Sequence, residues 1–174
     1  LPSPEQGSSN KHPYGISPNN ITPNNRNVEG IKDSGKNQAS INLSNYNISV
    51  EDGDSIVLTD KSNSKNVSKV RLSGLDTPEI KHDKDSSGGK DSYAKEQLYG
   101  EQSKAKLEEL IKKQGNLSLV INKGDMSYGR YVGVLAGDNN TNLNLEMLKQ
   151  GAAMAFPWDS NDLMKKSTVL AAER

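Results

Sequence analysis

The sequence contains no cysteine, a single phenylalanine, a single tryptophan and no net formal charge. The absence of cysteine excludes disulfides and thiolate metal sites. Few aromatic side chains mean that any hydrophobic core must be small and mainly aliphatic. No apolar run approaches the length of a membrane span or of a signal-peptide core. A net charge of zero gives no overall sign of nucleic-acid binding, so function must be sought in local motifs.

The 174 residues fit one compact domain with some additional chain. Residues 1–47 are rich in Asn, Ser and Pro and lack a sustained apolar period, which predicts an arm or linker with little regular structure. Residues 48–174 are predicted to form the domain. The chain opens on Leu and stops inside a helical pattern. We therefore expect a domain cut within its C-terminal helix and joined to a longer chain or assembly through residues 1–47.

Two β-rich runs, ISV and SIVLTD, flank the acidic turn DGD at residues 52–54 and predict a hairpin. A third strand is predicted over residues 67–75. Its alternation places Arg71 on the face opposite Val70 and Leu72, with a break at Gly74. Pro78 ends this strand because proline cannot donate into a ladder.

The rest of the chain predicts a long polar loop over residues 80–100 and a helix that ends at Gly115. Two further strands are predicted over residues 117–122 and 131–136, followed by a short helix over residues 143–150 and a last helix capped by Ser160. Five strands with a helix between the third and fourth predict an α+β fold: a five-stranded, closed oligonucleotide-binding (OB-fold-like) β-barrel with three helices. Periodicity alone also allows another α+β arrangement.

Charged residues collect at the predicted strand ends. Asp54 and Asp76 offer the hard oxygen ligands that Ca²⁺ accepts, and Glu79 stands close enough in sequence to polarise a water. Arg71 and Arg130 can grip a phosphate and neutralise the charge that grows during an in-line displacement. Any one of these residues alone is more commonly an ordinary turn residue or ion pair. Their combination predicts a phosphodiesterase.

The motifs DGDSIVL, VRLSGLDTPEIKH, YGEQSKAKL, YGR and LNLEMLKQGAA occur in series. Their order and spacing over residues 49–174 resemble the staphylococcal nuclease (thermonuclease) family. The resemblance implies a five-stranded barrel with three helices. It also implies Ca²⁺-dependent hydrolysis of single- and double-stranded DNA and of RNA, leaving 3′-phosphate ends.

The resemblance also assigns roles to individual residues. It implies that Ca²⁺ is held by Asp54, Asp76 and the backbone carbonyl of Thr77. Glu79 corresponds to the glutamate that activates the attacking water. Arg71 and Arg130 correspond to the two arginines that bind the scissile phosphate and stabilise its charge. Tyr128 corresponds to a tyrosine that lines the nucleotide pocket.

Two stretches depart from the family pattern. Ser127 stands where family members can carry a lysine, which removes one possible phosphate contact. The sequence AFPW, which ends at Trp158, replaces a tyrosine-containing stretch that helps to hold the substrate. Trp158 can either stack on a base or cover the barrel, since its amphipathic ring suits both roles.

Two functions remain open from the sequence. A Ca²⁺-dependent nuclease is favoured by the complete set of five charged residues. A non-catalytic module with a nuclease fold, binding nucleic acid or protein within a surface or virion assembly, is favoured by the zero net charge and by Ser127. An extracellular or surface location is expected because carboxylate calcium sites fill where Ca²⁺ is abundant, with a virion as the alternative.

Overall fold

The computed structural model describes residues 16, 18–32, 37–78, 80, 90–127, 130–156 and 163–173, with side chains left undescribed at 18, 90–97 and 124–127. The strands are β1 (Ile21–Pro23), β2 (Gln38–Asn42), β3 (Tyr46–Asp52), β4 (Ser55–Asp60), β5 (Asn63–Leu72), β6 (Leu75–Asp76), β7 (Ser118–Ser127), β8 (Arg130–Ala136) and β9 (Met154–Ala155). The α-helices are α1 (Lys90–Lys112), α2 (Leu143–Lys149) and α3 (Lys166–Glu173). The predicted α+β class with three α-helices is confirmed. None of the helices in these ranges combines the length and the apolar character that crossing a bilayer would require.

Seven strands form one sheet in the order β1-β2-β7-β8-β5-β4-β3, and β6 pairs with β9. The prediction of a closed five-stranded barrel is therefore wrong, because no ladder in the described part of the chain joins the two edges. The reason is local. A 3₁₀ turn, Leu43–Asn45, breaks the entering strand into β2 and β3, and the Asn42 side chain caps this turn by accepting from Ser44 N. As a result β2 pairs with β7 while β3 pairs with β4.

Several predicted elements are confirmed. The hairpin of β3 and β4 is present. The third predicted strand breaks at Gly74, which has a φ of 79°, a value that glycine adopts readily. The short helix α2 ends before Gly151, whose positive φ of 69° is typical of a glycine that follows a helix. The predicted loop over residues 80–100 is wrong in its second half, because α1 begins at Lys90. The segment AKEQ at residues 94–97 consists of good helix formers without an apolar period, so periodicity missed it. The predicted cap Ser160 lies outside the described residues, and α3 begins at Lys166.

The largest difference from the sequence prediction lies in the N-terminal segment. We predicted little regular structure over residues 1–47, and this is wrong for the described part of that segment. β1 pairs with β2, and β2 pairs with β7 along its whole length. Ile16, Ala39 and Ile41 are completely buried in the core, and Val28 is nearly so. The two alternating apolar positions of β2 were hidden by the Asn- and Ser-rich composition around them.

The N-terminal segment also holds the chain that leads into α3. The backbone N–H of Lys32 donates to the carbonyl of Leu163 at 2.9 Å. In return, the backbone N–H of Lys165 donates to the carbonyl of Gly30 at 2.8 Å. These hydrogen bonds join segments more than 130 residues apart, so both ends of the described chain belong to one packed unit.

One buried side chain fastens α2 to the sheet. Asn144 is fully buried, and its Nδ2 donates to the carbonyls of Ser73 at 2.8 Å and Gly133 at 3.1 Å. Its Oδ1 accepts from the N–H of Leu135 at 3.1 Å. Because every polar atom of this amide has a partner, the link is rigid and fixes the turn between β5 and β6.

Candidate active site

Asp54 lies in the tight turn between β3 and β4, and only 7% of its surface is exposed. Its Oδ1 accepts from Ser55 Oγ at 3.0 Å, and its Oδ2 accepts from the backbone N–H of Thr77 at 3.1 Å. The Nη1 atom of Arg71 lies 3.0 Å from the same Oδ2. The fold thus brings together three predicted site residues from three separate segments: Asp54, Arg71 and Thr77.

Strand register explains why Arg71 reaches Asp54. The β4–β5 ladder places Arg71 directly opposite Ser55, the residue that follows Asp54. Because β5 alternates, Val70 and Leu72 are buried in the core and Arg71 emerges on the other face, as the sequence predicted. The Arg71 side chain is 18% exposed, so the ion pair is shielded from solvent.

Two buried polar atoms at this site lack a hydrogen bond within the described part of the chain: Arg71 Nη1 and Thr77 Oγ1. For Arg71 the short distance to Asp54 defines an ion pair, but the direction of its N–H groups does not define a hydrogen bond. The contact is therefore an electrostatic attraction, which depends on distance more than on direction. Buried donors without an acceptor cost about 1–3 kcal/mol each, so such a pair marks a place suited to a ligand.

Asp76 ends β6 and is exposed. It lines a cavity of about 380 Å³ between α1 and the chain that follows α2, together with Pro78, Tyr99 and Met154. Asp54 does not line this cavity. Asp76 directly precedes Thr77 in the chain, and the N–H of Thr77 donates to the carboxylate of Asp54. Thr77 is therefore next to both aspartates, to one along the chain and to the other through a hydrogen bond.

Arg130 is the first residue of β8 and is half-buried. The parallel β5–β8 ladder pairs Arg71 with Val132, two residues beyond Arg130. Since residues two apart along a strand share a face, Arg130 lies on the same face of the sheet as Arg71. The two arginines therefore occupy neighbouring strands on one face, as a phosphate clamp requires.

Sequence reasoning assigned no role to Asp52, the first residue of the DGD turn. Its Oδ1 accepts from the backbone N–H of Ile80 at 3.0 Å, which ties the chain after Pro78 to the turn that carries Asp54. The glycine between the two aspartates is also constrained, because a Cβ atom at Gly53 would lie 2.6 Å from Ser103 Cβ on α1. The DGD motif was visible in the sequence, but a local motif does not reveal the distant residues that it contacts, here Ile80 and Ser103.

Three predicted site residues, Glu79, Tyr128 and Trp158, lie outside the described residues, as does the side chain of Ser127. Their positions therefore stay predictions. Among the residues that the structure describes, no group of three or more His, Cys, Asp or Glu side chains could hold a metal ion.

The residues present nevertheless fit a hard divalent cation in their chemistry. Asp54, Asp76 and the Thr77 carbonyl offer only oxygen, which is the ligand type that Ca²⁺ prefers. A carboxylate has about four lone-pair positions, and hydrogen bonds from Ser55 and Thr77 occupy two of those on Asp54. Lone pairs therefore remain on Asp54 for a cation.

Comparison with known proteins places this chain in a family. Residues 69–174 match the family described as staphylococcal nuclease homologue. A protein of Haemophilus influenzae named an uncharacterized endonuclease is 35% identical over 115 residues, which are 66% of this chain and 53% of that protein. The chain spans about half the length of this relative. The family match includes Arg71, Asp76 and Arg130, whereas Asp54 precedes it. The chain belongs to the staphylococcal nuclease homologue family.

Proposed function

We propose that this domain is a Ca²⁺-dependent nuclease that hydrolyses DNA and RNA and leaves 3′-phosphate ends. The observation that carries the proposal is the contact of Arg71 and Thr77 with one buried carboxylate oxygen of Asp54. Family membership and the relative named an endonuclease support the nuclease class.

The two arginines would bind the scissile phosphate. Asp54 attracts the Arg71 guanidinium and holds it in place but does not use the N–H groups of Nη1 in a hydrogen bond, so these are available to a phosphate oxygen. Arg130 would approach from the neighbouring strand on the same face. Donors that are fixed before the reaction stabilise the charge that develops on the phosphoryl oxygens without a cost of reorganisation.

Asp54, Asp76 and the Thr77 carbonyl would hold the cation. Bound Ca²⁺ would supply Lewis-acid polarisation of a phosphoryl oxygen. Glu79 is proposed as the general base that takes a proton from the attacking water while the bond between phosphorus and the 5′ oxygen breaks. The contact between Asp52 and the N–H of Ile80 would hold the backbone directly after this glutamate.

The test is digestion of a single-stranded oligonucleotide with Ca²⁺ and with EGTA in its place. We expect cleavage only with Ca²⁺, and products that a polymerase extends only after phosphatase treatment. Glu79→Gln should lower kcat by about 10²–10⁴-fold, the usual contribution of a general base. Glu108→Gln, an exposed carboxylate on α1, is the matched control and should cut normally.

The same samples distinguish the non-catalytic alternative. Fluorescence anisotropy on a labelled oligonucleotide should show that Glu79→Gln still binds while cutting is lost. Intact DNA with folded wild-type protein and Ca²⁺, together with measurable binding, would replace the nuclease proposal with a binding module.

A further inference from the structure

A second cavity, of about 370 Å³, lies beside the start of α3 and is formed largely by the N-terminal segment. Three of its lining residues are cationic: Arg26, Lys32 and Lys165. Four others carry amide side chains, and no carboxylate is among the lining residues that the structure describes. All but Lys165 precede the part of the chain that matches the family. The cavity is therefore a feature of this chain beyond the matched region.

Hydrogen bonds hold the wall of this cavity in place. Asn24 Nδ2 donates to Gln38 Oε1 at 2.9 Å, and the backbone N–H of Asn24 donates to the Gln38 carbonyl at 3.1 Å. Gln38 Nε2 donates to the carbonyl of Lys32. The N–H of Lys165 binds the Gly30 carbonyl, which brings the third cation to the cavity from the other end of the chain. The cations thus project from a fixed frame.

The charge of the cavity contrasts with that of the chain, whose net formal charge is zero. Glu29 lies only three residues from Arg26 and from Lys32, but its carboxylate pairs with Lys149 at 3.0 Å and does not line the cavity. Arg26 and Lys165 place two positive charges on the cavity wall that attract anions, and amides can donate to phosphate oxygens.

Strand register relates this cavity to the candidate active site. Ala39 pairs with Ile121, Ile121 with Gly133, and Gly133 with Leu72, which makes one row across β2, β7, β8 and β5. β2 and β5 run in the same direction, so the residues that precede Ala39 and Leu72 lie one step toward the same end of the sheet. These residues are Gln38, in the cavity wall, and Arg71, in the active site.

The distance between them suits a nucleic-acid strand. Because Ala39 and Leu72 are buried in the core, Gln38 and Arg71 share the opposite face, three strand spacings apart. This is about 14 Å along the sheet at a spacing of about 4.8 Å. One strand of a duplex advances about 3.4 Å per nucleotide and a single strand can extend further, so a strand covers this distance in about four steps or fewer, no more than the 4–16 nucleotides that one such domain covers.

We propose that this cavity is a second binding site for the phosphodiester backbone of the substrate strand, up to about four nucleotides from the scissile phosphate. This proposal rests on the proposed nuclease function, because it takes nucleic acid as the ligand. Arg26 and Lys165 would each neutralise a backbone phosphate. The cavity would therefore favour long strands over short ones.

The experiment is fluorescence anisotropy of the full chain in EGTA, where no cleavage is expected, with strands of two and ten nucleotides. The double variant R26Q/K165Q should bind the ten-nucleotide strand about tenfold more weakly at low salt. The slope of log K against log salt should fall by about 1.4, since each phosphate contact on a single strand contributes about 0.7. The two-nucleotide strand cannot span both sites, so its affinity should change less than twofold.

The matched control is K61Q/K65Q, which removes two exposed lysines, one in the turn between β4 and β5 and one near the start of β5. It should keep the wild-type affinity and slope with both strands. A measurement on wild type alone gives a further test if the double variant does not fold: its salt slope should be steeper by about 1.4 for the ten-nucleotide strand than for the two-nucleotide strand.

Equal binding by the double variant and its control would overturn the proposal. Displacement of the long strand from wild type by millimolar inorganic phosphate would instead assign the cavity to free phosphate. Displacement by polyglutamate would assign it to an acidic peptide. The outcome is separable from the proposed nuclease activity: length-dependent binding without cleavage refutes only the activity, and cleavage with equal binding refutes only the second site.

Discussion

Removing residues 1–47 should prevent the remaining chain from folding, although this cut follows the domain boundary that the sequence predicts. The shortened chain would lose β1, β2 and the first two residues of β3. The buried side chains lost with them are Ile16, Val28, Ala39, Ile41, Leu43 and Tyr46. β7 would also lose its partner β2, which leaves that edge of β7 open.

The magnitude follows from burial. Full burial of a Val, Leu or Ile side chain contributes about 1.5–3 kcal/mol, so the four aliphatic side chains larger than alanine contribute about 6–12 kcal/mol. Domains are stable by about 5–15 kcal/mol in total. The loss is therefore comparable with the whole free energy of unfolding, and we expect residues 48–174 to be unfolded in water at 25 °C.

Urea denaturation followed by circular dichroism checks this expectation. A chain that begins at Ile16 is the control, because it keeps every residue that the structure describes. In the intact chain, Ile41→Ala should cost about 2–5 kcal/mol, as for other large-to-small changes in a core. A cooperative transition for residues 48–174, within about 2 kcal/mol of the control, would refute the argument that the N-terminal strands belong to the core.

Three smaller perturbations test other parts of the fold. Asn144→Leu should lower the free energy of unfolding by about 3 kcal/mol, because it leaves buried backbone groups without partners; an unchanged urea midpoint would contradict this. Gly74→Ala should cost about 1–3 kcal/mol, since φ is 79° and the new Cβ would lie 2.4 Å from Met164 Cε, and a wild-type Tm would disprove the clash. The pKa of Asp138 lies below its ordinary value of 3.8 because two backbone N–H groups just after α1 donate to it. Its contribution to stability is thus present above pH 3.8 and lost as the pH falls through the lower folded value, so the stability difference from Asp138→Asn should shrink in acid, and a difference constant from pH 6 to 2 would count against it.

Part of the site could be predicted because it depends on local rules. Alternation along β5 placed Arg71 opposite the core-facing Val70 and Leu72, and the structure confirms this. The break at Gly74 was also readable, since glycine accepts a positive φ at little cost. The contact between Arg71 and Asp54 was not predictable from this pattern, because a period of two reports which face a side chain takes and not which strand lies beside it.

The sequence by itself determined the identity and order of the charged residues, the faces of the strands, the turns at glycine and proline, and the motifs that belong to the family. These are properties of neighbouring residues, fixed by backbone geometry and side-chain type. Only the tertiary structure decided that an Asn- and Ser-rich segment forms two strands, that the sheet stays open, and that Arg26 and Lys165 line one cavity. These outcomes depend on pairing between distant segments, whose free energy comes from the burial and hydrogen bonding of the whole core and leaves no local pattern in the chain.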